Sequence, residues 1–397
     1  MTRIANRILN LADSQTLAMA ELSRELKAKG IDIISLSIGE PDFNTPDAAK
    51  EAGKRAIDNN FSHYTPVSGY EDLKRAIAEK LQKENQLEYS SKEIIVSNGA
   101  KQSLANALLS LVNPGDEVII PAPYWVSYLE LVKLAEGIPV IVEGSYENDY
   151  KIQPEDLEAA ISEKTVAILF NSPSNPTGSI YSQSEMIALA EVLYKHPQVF
   201  VISDEIYEHI NFVGEHISMA NFPGMKERTA VINGVSKGYA MTGWRIGYMA
   251  APLWLTKACD KLQGQMTSGA SSISQKAALA ALQQCKEDSI RMNSIFEKRC
   301  QLVYERLVQI PGFEVKKPGG AFYLFPKIDS FFGKKYEKWH IQNDMDFSMF
   351  LLDQAHVGVV AGSAFGADQC IRISYATSEE ELIEALNRIE QAVMKLQ

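Results

Sequence analysis

The segment TVAILFNSP (165–173) is followed by SQSEMIALAEVLYKHP (182–197) and then by QVFVISDEIY (198–207). The first and third segments are short, apolar and rich in residues that favour strands, whereas the second has the spacing of an amphipathic helix. Ser182 and Glu185 form a capping box, which predicts that the helix begins there. Together the three segments predict two parallel strands joined by a crossover helix.

The same alternation extends from about residue 90 to residue 250. Its other apolar runs are EIIVSNG, DEVIIPAPYW, IPVIVEG, TAVINGVSK and WRIGYMAAP, and the helical run KQSLANALLSLV follows the first of them. Because these runs are almost uniformly apolar, we expect an α/β fold with a mostly parallel sheet that helices cover on both faces. Ligands of such sheets bind beyond the carboxyl ends of the strands.

The character of the sequence changes after residue 250. A long helical stretch leads into shorter strands and helices, and the chain closes with the helical run SEEELIEALNRIEQAVMKL. We predict a large domain over 46–295 and a smaller α+β domain over 1–45 and 296–397. The first 45 residues are assigned to the smaller domain because they contain little sheet-forming sequence. A hinge near 285–300 is a further hypothesis.

The composition argues against several classes of protein. The formal net charge of -11 makes phosphate backbones and anionic lipids unexpected partners. No apolar run approaches the ~18 residues that span a bilayer, and the N-terminal residues lack a signal-peptide core, so we expect a cytoplasmic protein with no membrane or nucleic-acid partner. The cysteines are far apart and the histidines match no common ligand spacing, which predicts a reducing compartment and no metal site.

The stretch INGVSKGYAMTGWRIGY (232–248) contains two candidate nucleophiles. Its residues 234–238 fit the G-x-S-x-G elbow of serine hydrolases, with Ser236 as the nucleophile. An elbow serine needs a helix directly after it, but the residues that follow include two glycines and favour no helix. Lys237 is the better candidate, because a lysine at a strand end in an enclosed site can lose its proton and attack a carbonyl.

An aldehyde cofactor such as pyridoxal phosphate would form a Schiff base with Lys237, and the sequence offers its other partners. Asp204 ends an apolar run, where it could pair with the pyridine nitrogen, and Tyr207 could reach the phenolic oxygen. The segment SNGAKQ (97–102) joins a strand to a helix whose first amides can bind a phosphate. The remaining candidates are Ser236 and Arg245 for the phosphate and Trp125 for stacking on the ring.

Each of these residues also has a purely structural interpretation. Asp204 could be a helix cap, Trp125 a core residue and Gly99 an ordinary turn residue. Those interpretations do not explain why all the candidates fall at the ends of strands on one edge of one sheet.

Four motifs carry a resemblance to a known family. They are NSPSNPTG (171–178), SDEIYEH (203–209), SKGYAMTGWRIGY (236–248) and IRISYAT (371–377). The set resembles the signatures of class I, fold-type I, pyridoxal-phosphate-dependent aminotransferases over nearly the whole chain. The likeness is strongest for the bacterial-type aspartate aminotransferase branch, which includes enzymes that aminate prephenate. The resemblance implies a large domain with a mostly parallel seven-stranded sheet and a smaller α+β domain.

The resemblance also implies roles for individual residues. Lys237 would bind the cofactor and move the substrate proton, and Asp204 would pair with the pyridine nitrogen. Tyr207 and Asn175 would hydrogen-bond the phenolic oxygen. A neighbouring subunit would contribute Tyr64 to the phosphate site, which implies a homodimer with shared active sites. The residues implied around the cofactor's phosphate and ring are Gly99, Ala100, Lys101, Ser236, Arg245 and Trp125.

The substrate site follows from the same resemblance. Arg372 resembles the arginine that binds the α-carboxylate bidentately, with Gly39, Asn175 and Trp125 lining that site. Lys101 resembles the lysine that binds the distal carboxylate in the bacterial branch, and Thr16 matches a threonine near the substrate in that branch. Prephenate-competent members carry both. Alternatively, Lys101 is a solvated helix residue and Thr16 a turn hydroxyl. We expect ping-pong transamination between L-aspartate and 2-oxoglutarate.

Several other activities remain alternatives. Glutamate/aspartate-prephenate amination or a broader aromatic activity would need the same amino-acid and 2-oxo-acid partners. Lyases with the same cofactor frame would also keep Lys237 and Asp204. A transcription regulator built on an aminotransferase-like domain would need a basic DNA-binding extension, which an acidic chain that starts with catalytic-type sequence does not suggest.

Overall fold

The computed structural model describes residues 3–397, and strands alternate with α-helices over residues 94–204 of the region in which the sequence predicts it. The helices are α1 (Asn6–Leu9), α2 (Gln15–Ala28), α3 (Asp47–Asp58), α4 (Glu71–Asn85), α5 (Ala100–Leu111), α6 (Ser127–Leu134), α7 (Pro154–Ala160), α8 (Gln183–Lys195), α9 (Leu253–Met266), α10 (Ser272–Gln284), α11 (Lys286–Gln309), α12 (Asp344–Gln354) and α13 (Glu379–Val393). The strands are β1 (Ile34–Ser35), β2 (Ile94–Ser97), β3 (Glu117–Ala122), β4 (Ile138–Glu143), β5 (Thr165–Asn171), β6 (Phe200–Asp204), β7 (Thr229–Gly234), β8 (Gly247–Ala250), β9 (Tyr323–Leu324), β10 (Lys335–Tyr336), β11 (Trp339–His340), β12 (Val357–Gly358), β13 (Val360–Ala361) and β14 (Ile371–Ser374).

A seven-stranded sheet forms the middle of the molecule, in the order β2-β8-β7-β6-β5-β3-β4. This confirms the predicted mostly parallel sheet, although β8 runs antiparallel to both of its neighbours. The reversal follows from the connection between β7 and β8, in which Gly234 lies directly opposite Gly247 and no α-helix intervenes. A parallel return would need a crossover connection, usually a helix.

Helices cover both faces of this sheet. Successive side chains of a strand point to opposite faces, so they pack against different helices. In β6, Ile202 packs with the residues of α5, α6 and α9, whereas Val201 packs with those of α8. In β7, Ile232 and Val231 divide in the same way between two clusters. A strand that is covered on both faces therefore requires apolar residues along its whole length. The capping box at Ser182 is also present, at the start of α8.

A second core lies around a three-stranded antiparallel sheet, in the order β13-β14-β9. Helices α11, α12 and α13 pack there, and the N-terminal strand β1 pairs in parallel with β12 beside it. The long helical stretch of the sequence is two helices, since α10 ends at Gln284 and α11 begins at Lys286. Whether this break acts as a hinge, and where the domains divide, stay predictions.

Among residues 3–397, no helix has both the length and the apolar character needed to cross a membrane.

Candidate active site

A cavity of about 300 Å³ opens at the carboxyl ends of β5, β6 and β7. Asn171 is the last residue of β5 and Asp204 the last of β6, and Ser236 and Lys237 follow β7 almost directly. Parallel neighbours end at the same edge of a sheet, so residues far apart in the sequence meet there. Every residue that the sequence predicts for the site lines this cavity except Gly99 and Tyr64.

Lys237 lies at the floor of this cavity. Its Nζ donates a hydrogen bond to the carbonyl oxygen of Gly39, 2.6 Å away. Burial lowers the pKa of Lys237 to about 8, although the nearby Glu40 carboxylate opposes that shift. The amine can therefore lose its proton close to neutral pH, which a nucleophile or a general base requires.

Ser236 also lines the cavity, but it lacks the surroundings of a hydrolase nucleophile. The residues after it form a turn, and the next helical element is a single 3₁₀ turn over Thr242–Trp244. No α-helix N-terminus therefore follows Ser236 to stabilise an oxyanion, as the elbow geometry requires. The local structure favours Lys237 over Ser236 as the reacting residue.

Asp204 is a buried carboxylate that forms no ion pair within residues 3–397. Its Oδ2 accepts a hydrogen bond from the Tyr128 hydroxyl at 2.7 Å, and its Oδ1 accepts one from the Ile206 amide at 3.3 Å. Burial raises the pKa of Asp204 to about 6 despite these two hydrogen bonds. Turn residues follow it, so it caps no helix. A cationic group added beside Asp204 would supply the missing counter-charge.

The N-terminus of α5 and the Arg245 side chain form an anion site. Gly99 precedes α5 with φ of 83°, and a Cβ there would overlap the Arg245 guanidinium, so the position requires glycine. No side chain caps the first turn of α5. Arg245 donates to the carbonyl oxygens of Thr242 (2.9 Å) and Asn98 (3.2 Å) and, within residues 3–397, pairs with no carboxylate. Free helix amides beside an unpaired guanidinium suit a phosphate.

Arg372, in β14, is a buried cation at the opposite wall. Its Nη1 donates to Asn175 Oδ1 at 3.0 Å and its Nη2 to the Ser37 carbonyl oxygen at 2.7 Å. Its Nε has no hydrogen-bond partner, and in the described part of the chain no carboxylate pairs with it. A guanidinium that is 2% exposed and carries no counter-ion fits the carboxylate of a ligand.

Comparison with known proteins identifies the family. The family model described as aminotransferase class I and II matches residues 31–389. The chain belongs to this family. Its members use pyridoxal phosphate, so the protein is a pyridoxal-phosphate-dependent aminotransferase, as the sequence motifs imply.

Individual members of this aminotransferase family match the chain along its whole length. The aspartate/prephenate aminotransferase of Cereibacter sphaeroides is 47% identical over 393 residues, which are 98% of each chain. The aspartate aminotransferase of Bacillus subtilis is 45% identical over 395 residues, 99% of each chain. The crystal structure of the aspartate aminotransferase from Rhizobium meliloti has a TM-score of 0.97 at 44% identity and covers 100% of both chains. These matches confirm the predicted fold type I.

The family's cofactor fits the residues present in this aminotransferase. Its cationic ring nitrogen needs a carboxylate, its phosphate needs cations and amides, and its aldehyde needs an amine. Asp204, Arg245 with the start of α5, and Lys237 offer these groups around one cavity. Within residues 3–397 none of the three forms an ion pair, so each keeps its capacity for a ligand.

Five cavity residues escape the sequence analysis, namely Tyr128, Asn171, Ile206, Thr242 and Tyr323. Tyr128 lies one helical turn after Trp125, a spacing that could have indicated a shared face. Asn171 is paired with Asp204 in the sheet and donates to its carbonyl oxygen at 2.8 Å, so the strand-end rule could have found it. Tyr323 comes from the C-terminal sheet, and no local sequence signal points to it.

Three predicted residues need separate comment. Tyr64 is 98% exposed and lies outside the cavity of its own chain, so its reach into a neighbouring subunit stays a prediction. Lys101 lines the cavity with its Nζ 4.8 Å from the centre of the Trp125 ring. Thr16 lines it too, with a buried Oγ1 that has no hydrogen-bond partner among residues 3–397.

Proposed function

We propose that this aminotransferase transfers the amino group between L-aspartate and 2-oxoglutarate in a ping-pong reaction. The observation that carries the proposal is a set of cavity side chains whose charges the protein leaves unpaired. Asp204 is the anion of the set, and its cations are Lys237, Arg245, Arg372 and Lys101. The names of the full-length relatives reported above support the same substrates.

Six groups would hold the cofactor in this site. Lys237 would attach covalently to its aldehyde carbon, and Asp204 would pair with its ring nitrogen. Arg245 and the first amides of α5 would bind its phosphate, beside the Ser236 hydroxyl. Trp125 would cover one face of the ring. Bound there, pyridoxal phosphate supplies an electron-poor ring that stabilises negative charge at the substrate α-carbon.

The substrate is oriented by the two walls of the cavity. Arg372 would bind the α-carboxylate, with its guanidinium held by Asn175 and by the Ser37 carbonyl oxygen. A carboxylate fixed in this way leaves the α-hydrogen as the group presented to Lys237. Because burial brings the pKa of Lys237 to about 8, its amine can accept that proton near neutral pH.

Dicarboxylate preference would come from Lys101 and Thr16. Aspartate and 2-oxoglutarate both carry a second carboxylate, and Lys101 has no carboxylate partner in the described part of the chain. The unpartnered Oγ1 of Thr16 could donate a hydrogen bond to the same group. Prephenate is also a dicarboxylate, and a relative is named for it, so amination of prephenate is the second candidate function.

A donor and acceptor panel with one preparation tests the assignment. The donors are aspartate, glutamate, alanine and phenylalanine, and the acceptors are 2-oxoglutarate, oxaloacetate, prephenate and phenylpyruvate. We expect the highest kcat/KM for aspartate with 2-oxoglutarate, and parallel double-reciprocal lines. Equal kcat/KM for alanine and aspartate would contradict the proposal. A higher value for prephenate than for 2-oxoglutarate would make its amination the main activity.

A homodimer with shared sites is part of the proposal, and mixing two defective variants tests it. Tyr64→Ala chains keep Lys237, and Lys237→Ala chains keep Tyr64. If Tyr64 completes the neighbour's site, each hybrid dimer regains one intact site, and the mixture is more active than either parent. No gain on mixing, with hybrids shown to form, would place Tyr64 outside the partner's site.

A further inference from the structure

Two buried tyrosine hydroxyls meet at the wall of the cavity. The Tyr207 and Tyr323 oxygens are 2.8 Å apart, and the two residues are 4% and 1% exposed. Tyr207 follows β6 of the central sheet, whereas Tyr323 begins β9 of the C-terminal sheet. Within residues 3–397 neither hydroxyl has another hydrogen-bond partner. This hydrogen bond is therefore one of the links between the two sheets at the site, beside the one from Arg372 to Asn175.

Tyr323 also contacts the groups proposed to bind the substrate. The Arg372 guanidinium lies 4.5 Å from the centre of its ring. A Cβ on Gly39 would overlap the Tyr323 hydroxyl oxygen, so glycine at 39 leaves room for that hydroxyl. The hydroxyl is thus held between Gly39 and Tyr207.

The surroundings favour one direction for this hydrogen bond. Burial raises the pKa of both phenols, and the charge of Arg372 opposes the rise at both. The Asp204 carboxylate, however, raises the pKa of Tyr207 further and does not act on Tyr323, whose ring stacks against Arg372. The more acidic of two phenols is the better donor. When Tyr323 donates to Tyr207, the Tyr207 proton is left without an acceptor in the wall and turns toward the cavity.

We propose that Tyr323 is a positioning residue whose hydroxyl donates to Tyr207 and directs the Tyr207 proton into the cavity. The proposal rests on the proposed function and on the hydrogen bond that the family resemblance implies from Tyr207 to the phenolic oxygen of the cofactor. A hydroxyl that accepts one hydrogen bond donates a stronger one. Tyr323 therefore increases the stabilisation of negative charge on that oxygen and lowers the proton affinity of the nitrogen beside it.

Substitution Tyr323→Phe tests the proposal, because it removes only the hydroxyl and keeps the ring against Arg372. The measured quantity is the pH midpoint of the visible absorption change of the holoenzyme without substrate. We expect this midpoint to rise by roughly 0.2–0.6 pH unit. In a Tyr207→Phe background the same substitution should shift the midpoint no further, since the hydrogen bond is already lost.

Two controls separate positioning from simple loss of stability. Tyr375→Phe removes another buried hydroxyl, which donates to the Ala321 carbonyl oxygen at 3.1 Å outside the cavity. It should lower Tm and leave the midpoint unchanged. Tyr323→Leu also removes the ring and should weaken binding of the unreactive dicarboxylate maleate, whereas Tyr323→Phe should not. This arm keeps the test decisive if one variant folds poorly.

Two outcomes would overturn the positioning role. One is an unchanged midpoint in Tyr323→Phe, and the other is an equal shift with and without the Tyr207 hydroxyl, which would mean that Tyr323 acts by another route. The readout needs no substrate, so an error in the substrate assignment does not affect it. A wild-type protein without a visible band would instead contradict the proposed cofactor site.

Discussion

Two buried carboxylates lie four residues apart in the sequence, and their surroundings are opposite. Asp204 is 3% exposed, accepts hydrogen bonds from neutral donors and has a pKa raised to about 6 by burial. Glu208 is 7% exposed but is paired with the Lys80 ammonium and hydrogen-bonded by Asn85. Burial alone would raise its pKa, yet the charges of Lys80 and of nearby histidines lower it.

Two further charged groups, Glu205 and His216, lie beside Glu208. Glu205 accepts hydrogen bonds from His216 at 2.8 Å and from Ser203 at 2.7 Å, and the Glu205 carboxylate raises the pKa of His216 although burial opposes it. The ligand atoms of Glu205, Glu208 and His216 lie within 4.8 Å of one another, a spacing that a metal could use. Lys80 and the other donors already supply their partners, so this cluster is explained without a metal.

The comparison shows that a buried carboxylate can serve either the folded structure or ligand binding, depending on whether the protein pairs it. Where the protein supplies the counter-charge, as at Glu208, the group contributes to the folded state. Where residues 3–397 form no ion pair, as at Asp204, the folded protein keeps a buried carboxylate that a cationic ligand would neutralise. Four substitutions test this distinction.

The largest effect is expected from Lys237→Ala. Without this amine we expect turnover to fall by at least about 10²–10⁴-fold, because the proposed base is lost, and the visible band to lose its sensitivity to borohydride. Absorption spectra and steady-state rates measure both. The exposed Lys257, substituted in the same way, serves as the control and should keep them. A colourless and fully active wild-type protein would refute the role of Lys237.

Lys80→Met removes the ion pair of Lys80 with Glu208. Glu208 would remain buried without its cation, so we expect the free energy of unfolding to fall by about 3–5 kcal/mol. Denaturant unfolding of the holoenzyme measures the loss. In the same helix, Lys83 makes only an exposed pair with Glu79, and Lys83→Met should cost less than about 1 kcal/mol. Equal losses from the two substitutions would remove the distinction.

Asp204→Asn tests the unpaired carboxylate through the pH dependence of stability. The folded pKa of about 6 lies above the ordinary value of 3.8, so the folded apoenzyme holds this proton more tightly than the unfolded chain. Its contribution to stability is present below pH ~4 and is lost as the pH rises through ~6, a change of roughly 3 kcal/mol. Unfolding of the wild type and the variant from pH 4 to 7 measures the difference. If the free energy of unfolding changed with pH equally in both proteins, Asp204 would not be an unneutralised carboxylate in the folded state.

The smallest effect is expected from Lys101→Ala, which removes a cavity cation that has no carboxylate partner in residues 3–397. The ratio of kcat/KM for aspartate to that for alanine should fall about 10- to 100-fold, because only aspartate has a distal carboxylate to lose a charged hydrogen bond. Lys101→Arg keeps the charge and should keep most of the preference. An unchanged ratio in Lys101→Ala would assign the distal carboxylate to another residue.

The sequence alone was sufficient for the central sheet and for most of the candidate site. Apolar runs that alternate with amphipathic helices indicate parallel strands, and parallel strands end together. Asp204 at the end of β6, Lys237 after β7 and the turn before α5 could therefore be assigned to one edge from local patterns. The family motifs added Arg372, which no periodicity would have placed there.

Contacts between distant segments had to come from the tertiary structure. The hydrogen bond between Tyr207 and Tyr323 joins residues 116 positions apart, and the pair of Lys80 and Glu208 spans 128. Nothing in the local sequence distinguishes the paired Glu208 from the unpaired Asp204, since both are acidic residues in one short segment. Glu208 receives a counter-charge because α4 brings Lys80 to it. The packing of that helix is set by the whole fold rather than by neighbours in the chain.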